Sequence, residues 1–236
     1  DSLRDSAPLY ALISRHVNEE LLERIATEYE RGRWLLIATT DLDSRRPVLW
    51  NMGAMAASRS PKALELFRNI LLASASIPGV FPPMMVDVEV DGKSYQEMHV
   101  DGGATAQVFL VPPSLAHYIR KRGFLVDRRK RTAYIIRNSR LDPDWASVDR
   151  RAMTILGRTV TSMIQTQGVG DLYRIYLTTQ QNDVGFNLAF IGSDFKVIRR
   201  EQFDTDYMNA LYNYAHERAH RGYEWAKTLP SDGIDE

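Results

Sequence analysis

The chain has 236 residues, of which 44% are hydrophobic, 25% charged and 10% aromatic, a globular mix long enough to bury a sizeable core. Thirty Lys and Arg cancel thirty Asp and Glu, so no overall field favours nucleic acid; with no cysteine, disulfides, thiolate metal sites and a cysteine nucleophile are excluded. No apolar run reaches the roughly 18 to 20 residues of a membrane-crossing helix, and the opening DSLRDSAPLY has no apolar signal core, so membrane contact is expected only at the periphery.

In chain order, Asp5 or Ser6 caps a short helix with Pro8 in its first turn, and Asn18 caps a second, EELLERIATEYERG, which Gly32 stops. RWLLIATTDL (33–42) reads as a buried strand, and VLWNM as its hairpin partner. Residues 61–76 begin with Pro and place Leu64, Phe67, Leu71 and Leu72 on one side of a helix that breaks at IPGVFPP. MMVDVEV and SYQEMHV are strands joined by Asp91-Gly92-Lys93, and the second runs into Asp101-Gly102-Gly103.

PPSLAHYIRKRG is expected as a helix and RTAYIIRNSR as a strand. A helical stretch follows from about 147 to 178, interrupted at Gly168-Val169-Gly170, and then a late strand, DVGFNLAFIG. The last helix is expected over about 204–228, with Tyr207, Leu211, Tyr214, Arg218 and Trp225 in reach of one face. Helices separating apolar strands predict one α/β domain over 1–236, with a mixed central sheet flanked by helices.

Asp101 follows a strand and precedes two glycines, which permit a sharp bend and leave space above the carboxylate. Asp-Gly is also a common turn dipeptide, and Asp91-Gly92 reads as no more than that. The stretch ASASIPGVFPP just upstream changes the weighing. Ala73, Ser74, Pro78, Phe81, Pro82, Pro83 and Asp101 to Gly103 together resemble the small-residue, proline-fixed loop and D-G-G strand end of patatin-like phospholipases. LLIATTDLDSRRPVLWNM is similar to that family's central strand and hairpin. The resemblance covers roughly residues 1–140 and leaves about 140–236 as a less well-matched extension.

The resemblance implies a patatin-like layered α/β architecture and a lipid acyl hydrolase with a Ser-Asp dyad and no cofactor. Asp101 would be the base, and Gly102, Gly103, Pro78, Phe81 and Pro82 would support the site. A lipid ester would be the substrate. Such relatives are often bacterial and exported. The G-x-S-x-G elbow and the glycine-rich oxyanion loop of that family have no match in the chain. Two readings stay open: a preceding segment carries both, making this chain the C-terminal portion of the domain and its own missing segment a partner, or the chain is a non-catalytic lipid-binding module. The first is expected.

His216-Glu217-Arg218-Ala219-His220 fits H-E-x-x-H, which on a helix sets two imidazoles one turn apart as zinc requires. A zinc metallopeptidase is therefore a third reading, set back by Arg218 beside the would-be ion and by the 16 residues that follow His220, among which Glu224 could ligate. His99 and Asp101 share one side of a strand, a spacing a metal could use, but nothing nearby in sequence completes a site, so no metal is expected. Arg120 to Arg122 and Arg128 to Arg131 bracket GFLVD, giving residues 120–131 the character of a peripheral membrane contact or of a solvated basic loop.

Overall fold

Within RWLLIATTDL, residues 36–41 form an inner strand with a neighbour on each side; Thr39, Thr40 and Asp41 are buried, while Leu35 and Leu42, expected inside, are exposed. The computed structural model describes residues 4–110, 130–142, 147–200 and 203–229. Helices α1 (Ala7–His16) and α2 (Glu19–Glu30) open the chain, followed by strands β1 (Leu36–Asp41) and β2 (Arg46–Asn51). Helices α3 (Met52–Ala57) and α4 (Ala63–Ala73) come next, then β3 (Met84–Val90) and β4 (Lys93–Asp101), and a 3-10 turn at Gly102–Ala104. Beyond it lie β5 (Arg131–Arg140), the long helix α5 (Ala152–Gln181), β6 (Val184–Ile191) and α6 (Thr205–His220).

The residues gather into two compact units, Asp1–Val108 with Met163–Gly168, and Phe109–Ser162 with Val169–Glu236. The chain is α/β as expected. The parallel and antiparallel pairings expected in one sheet fall, among the described residues, into two.

In the first unit a four-stranded sheet runs β2-β1-β4-β3, every neighbour antiparallel. Local chemistry sets its ends. Asn18 accepts a hydrogen bond from Leu21 N–H at 3.0 Å and caps α2, and Gly32 at φ +92° follows its end. At the β3–β4 hairpin both turn residues are left-handed, Asp91 at φ +50° and Gly92 at φ +74°, as a tight antiparallel connection demands. Asn51, the last residue of β2, accepts from Ala54 N–H and starts α3, a helix the apolar pattern did not reveal.

Residues opposite one another on antiparallel strands share a face. Ile37, Thr39 and Asp41 of β1 therefore share theirs with Trp50 of β2, with His99 and Asp101 of β4, and with Met84, Val86 and Val88 of β3. Helices cover this face, and the core beneath them holds Leu22, Met52, Phe67, Ile70 and Val86. Asp101 thus lies on the covered side of the sheet.

In the second unit β5 and β6 pair in parallel, and α5 is the crossover between them. Leu172 and Ile175 are buried, and Tyr176 meets Phe186 edge to face at 5.1 Å. The helix runs unbroken through Gly168-Val169-Gly170, where the sequence predicted an interruption; packing of its neighbours outweighs the roughly 1 kcal/mol that glycine costs a helix.

The final helix is shorter than expected. It ends at His220, Gly222 turns the chain at φ +88°, and Trp225 then lies on an extended segment against Tyr134 and Tyr223 rather than on a helical face. Within that segment Ala226 exchanges two backbone hydrogen bonds with Leu188 of β6, at 2.9 and 3.0 Å.

Phe67 is 2% exposed at the centre of the first unit's core. Replacing it with Ala is expected to cost about 3–5 kcal/mol, read as a lower urea midpoint at unchanged m-value.

Candidate functional site

β1 and β4 pair through only three residue pairs, Thr39 with Asp101, Thr40 with Val100 and Asp41 with His99. Around them sits a cluster of buried polar groups in an otherwise apolar layer: Thr39, Thr40, Asp41, Ser76 and His99 are all at most 4% exposed. Buried polar groups are tolerated when paired, and these are.

Trp50 Nε1–H donates to Thr39 Oγ1 at 2.8 Å, and Thr39 Oγ1 lies 2.9 Å from His99 Nδ1. The far nitrogen, Nε2, is 3.3 Å from Glu97 Oε2. Thr39 Oγ1, which accepts from Trp50, and the Glu97 carboxylate thus bond the two ring nitrogens from opposite sides. The Trp50 ring meets the imidazole edge-on at 5.5 Å. His99 is therefore a core histidine with both nitrogens occupied. It neither bonds to Asp101 nor stands exposed.

Asp101 leaves β4 and begins the 3-10 turn. Its Oδ1 accepts from Gly103 N–H at 2.7 Å, and its own N–H donates to Ser76 O at 3.0 Å. The second carboxylate oxygen has no hydrogen-bond partner among the described residues. Burial pushes the Asp101 carboxyl above the ordinary aspartate range, against the opposing pull of the Gly103 amide. One carboxylate oxygen of Asp101 holds the turn, while the other is left over.

The two glycines work differently from the expectation that they keep space open. Neither is left-handed. A Cβ on Gly102 would stand 2.6 Å from the Ala38 carbonyl oxygen, so this glycine lets the turn seat directly on the backbone of β1. A Cβ on Gly103 would come within 3.0 Å of Asp101 Oδ1. Thr40 Oγ1 ties the turn down, 2.8 Å from Thr105 Oγ1 and 3.5 Å from Gly102 O.

The Ser76 O to Asp101 N bond joins the small-residue loop to the D-G-G turn, bringing together the two pieces that the sequence paired. Within that loop Ile77-Pro78-Gly79-Val80 is a turn closed by Val80 N–H to Ile77 O at 3.0 Å, with Gly79 at φ +81°. Pro78 is exposed, while Phe81 and Pro82 are half-buried. The hydroxyls of Ser74 and Ser76 donate to Leu71 O and Leu72 O, so neither is directed at Asp101.

One serine does donate to an aspartate. Ser44 bonds Asp41 at the β1–β2 turn. Burial pushes Asp41 up, but the bonds from Ser44 and from the Asp43 backbone outweigh it and hold this carboxyl below the usual range, the wrong direction for a base. A cavity of about 500 Å³ in the same unit lies beside Arg24, Glu28, Arg33 and Trp34 and is not lined by Asp101.

The H-E-x-x-H stretch is helical, and its histidines are exposed, stacked at 5.8 Å. Arg218, between them in sequence, packs the other way: it bonds Asp194 at 2.9 Å and lies over the Tyr223 ring. Glu217 pairs with Arg221. No group of three metal-ligating side chains, Glu224 included, forms among the described residues. Of the basic stretch 120–131, all but Lys130 and Arg131 lie outside the described residues, and Arg131 donates to Asn182 O.

Sequence reasoning missed Arg137, a cation 6% exposed on β5 whose guanidinium is pulled down by burial and back up by the buried Asp171 carboxylate. Strand alternation contained the signal, since Ala133, Ile135 and Arg137 fall on one buried face. No family model matches the chain, and no curated protein matches it in sequence.

Two outcomes test this geometry. Gly102→Ala is expected to lower stability by about 1–3 kcal/mol, because backbone must move, whereas Gly103→Ala meets only a side-chain oxygen and should cost less; urea denaturation separates them. Native Asp101 keeps its proton to higher pH than the unfolded chain, so its contribution to stability falls as pH rises from the ordinary aspartate pKa to the raised one, then levels. Asp101→Asn keeps an acceptor for Gly103 N–H and removes that loss. The variant should be more stable than the parent at neutral pH, and the difference should shrink towards about pH 3.

Proposed function

We propose that this chain contributes the base of a serine ester hydrolase acting on lipid esters, of patatin-like type and layering, with Asp101 receiving the proton and the serine carried by a segment outside residues 1–236. The observation that carries this reading is the leftover oxygen of a half-buried Asp101 whose carboxyl is pushed up by burial. The hydrogen bond from Asp101 N–H to Ser76 O adds support, since it holds the proline-fixed loop beside that carboxylate.

In this chemistry the serine oxygen attacks the ester carbonyl while its proton passes to the free Asp101 oxygen, and the same proton then goes to the departing alcohol. Water reverses the sequence on the acyl-enzyme. A raised pKa brings the carboxyl closer to neutrality, where it both accepts and returns a proton. The Gly103 amide holds the carboxylate and the Ser76 carbonyl holds the Asp101 backbone, and neither consumes the reacting oxygen.

A second reading, a non-catalytic lipid-binding or interaction module, is favoured by one observation. No serine or threonine hydroxyl among the described residues bonds to Asp101, whose other oxygen caps a turn. The zinc reading has no complete ligand set behind it among the described residues.

The test is hydrolysis of p-nitrophenyl butyrate by the complete gene product. Asp101→Asn is expected to lower kcat by about 10³–10⁴-fold, while Asp91→Asn, in the β3–β4 turn, leaves it unchanged. Equal activity in Asp101→Asn would remove the dyad, and an inactive complete product would leave the module reading.

A further inference from the structure

The two histidines left over from the peptidase reading occupy a definite place on α6. At 100° per residue, His216 and His220 stand about 40° apart around the helix axis and Arg218 stands half a turn from the line between them. The side chains follow that count: both imidazoles are exposed, stacked with 5.8 Å between ring centres and 10° between ring planes, while Arg218 reaches Asp194 and the Tyr223 ring. The cation that the sequence set beside a would-be ion is on the opposite side of the helix.

The surroundings leave the pair open. Asn213 and Ala219, its nearest flanking residues on the helix surface, bring no charge, and Glu217 is held by Arg221 at 3.6 Å. Tyr212, one turn earlier and itself exposed, stacks on the His216 ring at 5.8 Å. Neither imidazole is engaged in a hydrogen bond or an ion pair with another described residue, in contrast to the buried His99, which has both nitrogens bonded.

A neutral imidazole ligates metals through a ring nitrogen, and two of them at i and i+4 on one helical face reach a single ion. Metal–nitrogen bonds of about 2.0–2.1 Å need the two donor nitrogens within about 4 Å of each other. The exposed rings swing together about their own side-chain torsions, with no buried contact to break. Two nitrogens, with the remaining positions left to water, suit a tetragonal ion, and affinity for such a donor set peaks at Cu²⁺, above both Ni²⁺ and Zn²⁺.

We propose that His216 and His220 chelate one divalent transition-metal ion, Cu²⁺ ahead of Ni²⁺ and Zn²⁺, in a two-imidazole surface site completed by water. The ion is a clamp across the last turn of α6, ahead of the bend at Gly222. It is not a peptidase centre, because Glu217 is turned to Arg221 and no third protein ligand joins the pair among the described residues. The site is independent of the ester-hydrolysis reading, since binding is measured without turnover.

The test is titration of the whole untagged chain, first freed of metal with a chelator, with Cu²⁺ at neutral pH. Calorimetry is expected to show one ion per chain in the tightest phase, and electron paramagnetic resonance to show two nitrogen donors. His216→Asn and His220→Asn should each weaken binding about 10²-fold, because the second, intramolecular contact of the chelate is lost, and each should leave a one-nitrogen spectrum. Both side chains are exposed, so the circular dichroism spectrum of either variant should match the parent. His16→Asn, at an exposed histidine of α1, should leave binding unchanged. Absence of binding overturns the proposal. So does an affinity that either His216→Asn or His220→Asn leaves unchanged, which gives the ion to one imidazole or to another group, and so does a loss in His16→Asn as large as in those two.

Discussion

The short antiparallel contact between β1 and β4 is the joint on which the candidate site depends. Three residue pairs make it, and each carries a polar group that must find a partner in a layer covered by helices. Thr39 is satisfied by Trp50 and His99, Asp41 by Ser44 and the Asp43 backbone, and Asp101 by Gly103. Gly102 makes the joint possible at its end, where the turn rests on Ala38 with no room for a side chain. A buried polar network of this kind specifies one register, because a slip by one residue would send every one of these side chains to the other face and strand its partner.

Much of the fold was legible because its signals are local. Asn18 and Gly32 bound α2, and Asp91-Gly92 closes a hairpin as those residues demand. The pairing of the proline loop with Asp101 was legible as a motif, and it corresponds to one backbone hydrogen bond, Asp101 N to Ser76 O. What was not legible depends on packing at a distance. The role of Gly102 is set by a carbonyl more than sixty residues away in sequence. His99 and Asp101 share a face, as their spacing indicates, but only the tertiary partners Thr39 and Trp50 show that the histidine is core. The H-E-x-x-H pattern misleads for the same reason: the helix is real, but Arg218 is drawn to Asp194, and the histidines are left outside.

α5 illustrates how one helix serves two surroundings. Its later turns are read by β6 through Phe186 and follow ordinary core logic, with Leu172 and Ile175 inside. Its first turns carry apolar side chains in a different direction. The helix presents no single apolar face along its thirty residues, because exposed apolar side chains of its first turns lie on more than one side, Ile155 opposite Met153 and Val160.

The extended segment after Gly222 has a consequence for how the chain can be cut. Ala226 gives β6 both an acceptor and a donor on the side away from β5. That segment works as a guard on an otherwise open strand margin, the kind of margin through which polypeptides add to one another end on end. A cut near Gly222 would leave the segment tied to β6 by non-covalent contacts alone, and its release would bare the Leu188 amide and carbonyl.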